Sequence, residues 1–335
     1  MHYADPAALR ACLAALTPQL APADEILVVD NAGSPEAAAL VADAPQARLL
    51  SPGRNLGYGG GNNLAARAAR GRYLLILNPD VRPTPGFLRQ MAVAMDVLPP
   101  LALVTATLLL PDGRVNAQGN DVSYAGITTC RGLGDRHHRP GTFPVPAISG
   151  AAFAVRRADF QSLGGFDEQF FLYLEDTDLS LRALMLGGSC WCAGDALATH
   201  DYRWRFSPEK QRELEKNRLQ LLVKTFRRGT LVALSPGLFL VELGTLAYAT
   251  LRGPAHLRAK LRAYALVARG HRSVRARRRR LQAARLVGDD VILRACRWRI
   301  PLRQPLGPLV GTALAGLLAP AFYLPYAAAR ALLKR

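Results

Sequence analysis

Two short runs, apolar at every position, constrain this chain most. Ile26-Leu27-Val28-Val29 ends in Asp30-Asn31, with Gly33 and Pro35 following, and Tyr73-Leu74-Leu75-Ile76-Leu77 ends in Asn78-Pro79-Asp80. A strand with one wet face alternates apolar and polar residues, whereas a run apolar throughout is buried on both faces, as in a parallel sheet covered by helices. Helical spacing occupies the intervals: residues 5–16, Leu64 to Arg70 stopped by Gly71, and Phe87 to Leu98. Leu101 to Leu110 and Ala147 to Val155, the latter containing Ser149-Gly150, read as further strands. Leu179 to Leu186 reads as a helix ending at Gly187-Gly188, and Ser207-Pro208 opens another through about Lys224, with Ser as N-cap and Pro at the first helical position. Such alternation predicts an α/β layered domain. Residues 111–146, rich in Gly, Pro, Arg and His, are long for a connector and read as an insertion near the acceptor side or a partly mobile loop.

Charge divides the chain. Residues 1–228 hold 24 Lys and Arg against 22 Asp and Glu, while residues 229–335 hold 19 against 3. A nearly neutral first part is therefore joined to a strongly basic tail. With half the residues hydrophobic, global disorder is excluded. Cys12, Cys130, Cys190, Cys192 and Cys296 have no paired metal spacing, and an odd count suits a reducing compartment. Residues 1–6 carry neither a basic stretch nor a long apolar run, so no signal peptide is expected and the first part should stay in the cytosol.

Carboxylates gather at predicted strand and helix ends: Asp30, Asp80, and Glu175-Asp176-x-Asp178 after Phe170-Phe171-Leu172-Tyr173, with His200-Asp201 further on. In open α/β sheets ligands collect beyond the carboxyl ends of the strands. Taken alone, Glu175-Asp176 could equally be acids decorating a helix N-terminus, where the dipole favours them. In order along the chain, however, stand residues 26–34 (ILVVDNAGS), Arg54-Asn55-Leu56-Gly57-Tyr58 through Gly61-Asn62-Asn63, Leu77-Asn78-Pro79-Asp80-Val81, Gly164-Gly165-Phe166-Asp167-Glu168, and Tyr173-Leu174-Glu175-Asp176-Thr177-Asp178-Leu179. This succession resembles glycosyltransferase family 2 over roughly residues 2–228, and the Asn-Pro-Asp variant resembles its rhamnosyltransferase-like branch, which builds bacterial surface polysaccharides.

The resemblance implies a GT-A (nucleotide-diphospho-sugar transferase) fold, Rossmann-like and layered, and inverting transfer of a sugar from a nucleotide donor to an acceptor hydroxyl. A diphosphate leaving group develops negative charge that a divalent cation can neutralise, and Mg²⁺ or Mn²⁺ can be held by one protein carboxylate plus the diphosphate. By match to the family motifs Asp80 is the metal ligand, and His200 completes the metal site or contacts the diphosphate; a structural histidine in a strand-end turn is the alternative. Asn78 stands where many relatives carry a first Asp. Asp176 matches the general base that takes the proton of the attacking hydroxyl, with Glu175 its less favoured neighbour. Asp30, with Asn31, resembles the acid that binds the donor nucleoside. Arg54, Asn55 and Gly57 resemble the following loop, and Asn63 and Asn78 complete the donor side. Trp191, Arg203, Trp204 and Arg205 are candidates for the acceptor or diphosphate side, since Trp stacks on sugars and Arg binds phosphate, with ordinary packing the favoured role for Trp191.

Gly57-x-Gly59-Gly60-Gly61 invites a dinucleotide-binding reading, but that fingerprint should follow a strand directly and open a helix. Here it follows Ser51-Pro52-Gly53, and Asp80, about twenty residues on, ends a strand. Family members begin with an apolar strand leading into a turn that matches His2-Tyr3-Ala4. Only Met1 precedes that turn here, so the true start is expected upstream, since without that strand its neighbours lose ladder partners and expose apolar surface.

In the tail, Leu231 to Leu251 is apolar apart from Glu242, with Pro236-Gly237 inside, and Leu306 to Ala329 has no charge but carries prolines at 308, 320 and 325. Arg252 to Arg303 between them includes Arg275-x-Arg277-Arg278-Arg279-Arg280. Such basic runs beside apolar helices suit an anionic membrane surface; a solvated helix face is the plainer alternative, and nucleic acid lacks the aromatic platforms or recognised module it would need. Cations on both sides of Leu231–Leu251 argue against a simple crossing there. The expectation is thus a GT-A domain over residues 1–228 and a membrane-associating helical region over 229–335, placed at the cytoplasmic face of the cell membrane. It would use a nucleotide-sugar donor and a saccharide or lipid-linked acceptor, with dTDP-rhamnose favoured and no nucleic-acid partner. A catalytically silent nucleotide-sugar-binding or membrane-docking module is the alternative.

Overall fold

Asp5 accepts the Ala8 N–H at 3.0 Å and Pro6 occupies the first helical position, so helix α1 (Pro6–Leu16) starts where its orphan donors are met. The structure, a computed structural model, describes residues 1–201, 206–300 and 308–333. Two units emerge: Met1–Asn120 with Cys130–Ala183 and Gly188–Trp204, and Asp121–Thr129 with Leu184–Gly187 and Arg205–Arg335.

In the first unit β1 (Ile26–Val29), α2 (Pro35–Ala42), β2 (Ala47–Leu50), α3 (Gly57–Ala68), β3 (Tyr73–Leu77), β4 (Val81–Pro83), α4 (Phe87–Val97) and β5 (Ala102–Leu109) follow α1. Then come β6 (Val115–Ala117), β9 (Thr142–Pro144), β10 (Ala152–Arg156), α5 (Arg157–Ser162), α6 (Glu175–Met185) and β11 (Ser189–His200), while the short paired strands β7 (Asn120–Val122) and β8 (Thr128–Cys130) fall mostly in the second unit. The main sheet runs β3-β10-β5-β11-β4, with β6 added to β5 and β9 to β11, while β1 and β2 form a separate parallel pair. β5 and β11 run parallel, and β10 lies antiparallel to both β3 and β5. Val104, Ala106 and Leu108 of β5 are wholly buried against Met91 and Met95 of α4. Leu9 and Leu13 of α1, Val28 of β1 and Leu40 and Val41 of α2 make a second cluster.

The two apolar runs are strands over their full predicted length. Several expectations change. The strand expected from Ala147 begins at Ala152, leaving Ser149-Gly150 in the turn ahead of it, and β3 pairs antiparallel with β10 rather than in a parallel sheet. The helix expected from Leu64 begins at Gly57, because its glycines let it press against neighbours: a Cβ on Gly59 would lie 3.0 Å from Phe166 Cβ. Residues 111–146 are built into β6, β7, β8 and β9 rather than left as a loop, and their polar side chains are used: Gln118 donates to Thr107 Oγ1 and the Arg139 carbonyl.

The second unit is helical: α7 (Pro208–Thr225), α8 (Arg228–Leu251), α9 (Pro254–Arg269), α10 (His271–Ala284), α11 (Asp289–Ala295), then Pro308–Leu317 and Ala319–Leu332. Ser207 caps α7 by accepting the Lys210 N–H at 3.2 Å. α7 falls in this unit, and the charges of that helix are satisfied within it. Arg218 bonds Glu215 at 2.8 Å and Glu242 of α8 at 2.5 Å, and Lys260 of α9 reaches both glutamates, at 2.7 and 2.6 Å. Among the described residues α8 is the one helix long and apolar enough to cross a bilayer; Gly311–Leu317 and Ala319–Leu332 qualify only together, bent by 52°.

Candidate active site

The turn after β3 is fixed by its backbone. Asn78 N–H donates to the Ala151 carbonyl at 2.9 Å and Val81 N–H to the Asn78 carbonyl at 3.2 Å, which turns the chain into β4 and projects Asp80 at the strand end. β4 pairs with β11 in the register Val81↔His200, so His200 arrives beside Asp80 with Nε2 3.4 Å from Oδ2. The other ring nitrogen lies 2.8 Å from Asn116 Oδ1, which orients the buried imidazole. Asp80 Oδ1 is buried with no hydrogen-bond partner among the described residues. No group of three or more His, Cys, Asp or Glu able to hold a metal occurs among those residues. An orphaned carboxylate oxygen beside an oriented imidazole nevertheless fits a divalent cation whose remaining ligands come from a diphosphate and water.

Glu175, Asp176 and Asp178 crowd the first turn of α6, where the helix dipole favours acids. Asp176 Oδ2 accepts Gly150 N–H at 2.8 Å and Asn120 Nδ2 at 3.3 Å, and Oδ1 accepts Thr177 N–H at 2.6 Å. Burial raises the Asp176 pKa, and the Gly150 and Thr177 hydrogen bonds partly restrain the rise. Burial, reinforced by Asp176, pushes Glu175 well above the usual carboxylate range. Glu175 is buried and its Oε2 has no hydrogen-bond partner among the described residues, whereas Asp176 keeps some solvent-facing surface. The rise is the greater for Glu175, which makes Asp176 the more acidic and the more reachable member of the pair.

The approach to this pair is strained. Phe171, Tyr173 and Leu174 have φ of 46°, 71° and 64°, a left-handed conformation that costs non-glycine residues about 1–3 kcal/mol each. Tyr58 N–H holds the loop by donating to the Phe171 carbonyl at 2.7 Å. Gly57, itself at φ 71°, has no room for a side chain, because a Cβ would lie 2.4 Å from the Phe171 carbonyl oxygen. The Tyr58 hydroxyl donates to the Gly150 carbonyl. Its pKa is raised well above the ordinary value, first by burial and then by Glu175, Asp176 and Asp80. One phenol thus senses all three carboxylates. Hydrogen bonds link the two loops, from Asn78 N–H to the Ala151 carbonyl and from Gly150 N–H to Asp176.

On the expected donor side, Asp30 is buried and folds its own loop, accepting Ala32 N–H at 3.0 Å and Ser34 N–H at 2.5 Å. Asn31 spans to the next loop: Nδ2 donates to the Gly57 carbonyl at 3.0 Å and Oδ1 accepts Leu56 N–H at 3.3 Å. Asn55 accepts Gly57 N–H at 2.8 Å, and Arg54 is exposed beside it. The Asn63 amide is committed to the segment ahead of the carboxylates, donating to the Phe166 carbonyl and Glu168 and accepting Phe166 N–H at 2.8 Å. Asn78 lies half-buried in the Asp80 turn. Trp191 does not join this set. It packs against the main-sheet core and donates to Ser189 Oγ at 2.8 Å, since it lies on β11 nine positions ahead of His200. Arg203, with Trp204 and Arg205, lies outside the described residues. Sequence reasoning missed Asn116, Asn120, Tyr58 as a carboxylate neighbour, and Gly150. Only Ser149-Gly150, a break inside an otherwise apolar run, carried a local signal.

Residues 2–164 match the profile of Glycosyl transferase family 2, in accord with the motif resemblance. N-acetylglucosaminyl-diphospho-decaprenol L-rhamnosyltransferase of Mycobacterium tuberculosis is 31% identical over 194 residues, which cover 50% of this chain and 62% of the relative. The O-antigen biosynthesis protein RfbC of Myxococcus xanthus is 31% identical over 191 residues, 52% of this chain but 14% of that one. The chain thus spans less than two thirds of the length of these relatives. Among solved structures, S. aureus TarS 1–349 in complex with UDP-GlcNAc aligns over 97% of this chain and 86% of its own with a TM-score of 0.53 at 14% identity, a likeness of fold.

Proposed function

From a chain whose first half is a family 2 glycosyltransferase region of GT-A fold, we propose an inverting glycosyltransferase of surface-polysaccharide synthesis, with rhamnose from dTDP-rhamnose as the favoured sugar. The observation that carries this reading is the hydrogen-bonded link between the Asp80 turn and Asp176, from Asn78 to Ala151 and from Gly150 to the Asp176 carboxylate. Asp176 takes the proton of the acceptor hydroxyl as its oxygen bonds to the sugar's anomeric carbon, while the bond from that carbon to the diphosphate breaks on the opposite face. Asp80 and His200 would hold Mg²⁺ or Mn²⁺, which supplies positive charge for the departing diphosphate. The Asn120, Gly150 and Thr177 bonds keep the Asp176 carboxylate aimed. Asp30 closes the loop that would meet the donor nucleoside, and Arg54 offers a cation next to it. The relative from M. tuberculosis is named for an acceptor on a prenyl diphosphate, which supports a lipid-linked saccharide acceptor here.

Such an acceptor places the protein at the cytoplasmic face of the cell membrane. α8 is two-faced: Leu234, Gly237 and Val241 are buried, while Val232, Phe239 and Leu243 are exposed along one stripe. Its Glu242 is tied to Arg218 and Lys260 of the neighbouring helices. These features support a helix lying in an anionic lipid interface beside the exposed arginines of α9 and α10.

The test is transfer by the full chain from a panel of nucleotide sugars, dTDP-rhamnose included, to N-acetylglucosamine on a prenyl diphosphate, with Mn²⁺ present and the product read by mass spectrometry. Asp176→Asn should lower the rate by roughly 10²–10⁴-fold. An unchanged rate overturns the base assignment. The unjoined β1–β2 pair favours a second reading, a silent nucleotide-sugar-binding module. Donor-induced stabilisation without transfer or hydrolysis of any donor would select it.

A further inference from the structure

Helices α7 and α9 run side by side in the same direction. His256 Nδ1 lies 2.6 Å from Gln211 Oε1, and about one turn on Lys260 Nζ donates to Glu215 Oε2 at 2.7 Å. A step of four residues along α9 is thus matched by a step of four along α7, which brings both N-termini to the same end of the pair. At that end is a pocket of about 160 Å³, lined by Arg212 of α7 and by Arg258 and Arg262 of α9. Ala255 and Ala259 make the room, since residues three and four apart share a helix face and these two carry only a methyl group.

The charges around this pocket do not balance. Arg258 and Arg262 are exposed and form no ion pair among the described residues; four positions apart on one helix, they repel each other. Arg212 adds a third cation from the facing helix, and its own ion pair is with the adjacent Glu213 at 3.1 Å. Glu209 is the one acid among the lining residues. Its carboxyl is held below the ordinary value by its own backbone N–H and by Ser207, so it is turned onto the start of its own helix. Three cations against one carboxylate leave the pocket at +2. α9 begins with no capping side chain and no acid in its first turn, so its positive dipole end adds to the same field. A phosphomonoester or a diphosphate carries about two negative charges at neutral pH, and its oxygens accept from the planar fork of a guanidinium.

The place of the pocket says where such a phosphate comes from. Only Arg252 and Gly253 separate Leu251, the last residue of α8, from Pro254, the first of α9. The pocket therefore lies at the C-terminal end of the apolar helix, where Leu251 and Leu261 are exposed. We propose that it binds the doubly charged phosphate of a membrane lipid, gripped by Arg258 and Arg262 with Arg212 opposite. A lipid whose chains lie along α8 sets its headgroup at this end. The lipid source rests on the interfacial placement of α8 given above, whereas the anion site stands on the pocket and its arginines.

The anion site is tested on the full chain with inorganic phosphate, in EDTA so that no divalent metal mediates binding. Binding is read as broadening of the phosphorus NMR resonance. Arg258→Gln with Arg262→Gln should raise the half-saturating phosphate concentration at least about tenfold, the usual cost of losing charged hydrogen bonds. Gln suits an exposed helix position about as well as Arg, so the fold is kept. Arg10→Gln with Arg89→Gln removes the same charge from exposed positions of the first unit and should change nothing. Equal weakening by the two pairs overturns the proposal, because net charge is then the cause. So does phosphate binding that the first pair leaves unchanged.

The source is tested by flotation with phosphatidylcholine vesicles carrying phosphatidic acid, a prenyl diphosphate or phosphatidylglycerol at equal surface charge. The parent should prefer one of the first two to phosphatidylglycerol by about tenfold, and Arg258→Gln with Arg262→Gln should abolish that preference while attachment to phosphatidylglycerol persists. A preference for phosphatidic acid identifies a bilayer headgroup, and one for the prenyl diphosphate identifies an isoprenoid carrier. No preference overturns the lipid assignment. Failure to bind any vesicle refutes the interfacial placement of α8 and with it the lipid source, and the phosphate titration still decides the pocket.

Discussion

Gly150 donates its backbone N–H to Asp176 Oδ2 at 2.8 Å, and a Cβ at position 150 would lie 3.1 Å from Asp176 Cβ. The glycine thus both holds the carboxylate and leaves it room. Gly150→Ala should push Asp176 aside by a few tenths of an ångström while leaving the fold intact. The expected result is a kcat lowered by about ten- to a hundredfold with little change in the donor KM, because misplacement penalises the transition state more than binding. Equal kcat for the two proteins would mean that Asp176 is not positioned through this contact.

Glu175 makes stability depend on pH in a definite direction. Its carboxyl is held well above the ordinary value of 4.5, so the unfolded chain releases this proton at lower pH than the folded one. Above about pH 4.5 the unfolded state is therefore increasingly favoured, until pH reaches the raised folded pKa. Glu175→Gln removes that liability. Its Tm should rise relative to the parent by roughly 3 °C or more at pH 8 and by little at pH 4. A Tm difference that does not change with pH would show that Glu175 ionises freely in the folded protein.

The fold was legible where residue type left little choice. A fully apolar tetrad or pentad bounded by Asp, Asn, Gly and Pro has few stable placements, and both such runs are strands throughout. α3 hid its first turns because glycine opposes helix locally, while the gain comes from close approach to Phe166, a contact no local window contains. The three-residue strands β6, β7, β8 and β9 are too short for periodicity, and distant partners specify them, as Phe143 in β9 opposite Cys192 illustrates. In the site, Asp80, Asp176, Glu175 and His200 stood out as polar groups at element ends. Asn120 reaches Asp176 across 56 residues of sequence, and Asn116 reaches His200 across 84, separations that leave no local trace. Trp191 was chemically suited to a sugar and sits in the core layer instead, since side-chain type does not reveal how far along a twelve-residue strand a residue lies.

The proposed metal role of Asp80 and His200 predicts how the protein responds to divalent cations. In thermal-shift measurements a nucleotide sugar with Mn²⁺, at a concentration about 100-fold above its Kd, should stabilise the parent by about 2.7 kcal/mol. Asp80→Asn keeps the size of the side chain and removes its charge, so the Mn²⁺-dependent part of that shift should vanish while any metal-independent donor binding persists. Asn116→Ala unties the ring of His200 and should raise the Mn²⁺ concentration needed by about ten- to a hundredfold, the usual cost of losing a ligand's orienting partner. Identical Mn²⁺ dependence in Asp80→Asn and the parent would remove Asp80 from the metal site.

On the proposed membrane placement, the exposed stripe of α8 and the arginines of α10 should make separable contributions to lipid docking. Val232 and Phe239 are 71% and 63% exposed, and Arg272, Arg275, Arg279 and Arg280 are exposed on α10. Each cation close to an anionic surface contributes about 1 kcal/mol, weakened by salt, whereas buried apolar area is far less sensitive to salt. Replacing the four arginines with Gln should lower binding to phosphatidylglycerol-containing vesicles by at least about tenfold at low ionic strength and leave binding to pure phosphatidylcholine unaffected. Phe239→Asp with Val232→Asp should weaken binding to both. Flotation of the full chain with vesicles of each composition, at about 0.05 M and 0.5 M salt, separates the two terms. A protein that stays with native membranes through high salt and alkaline carbonate would be a spanning one, and the interfacial placement of α8 would then be wrong.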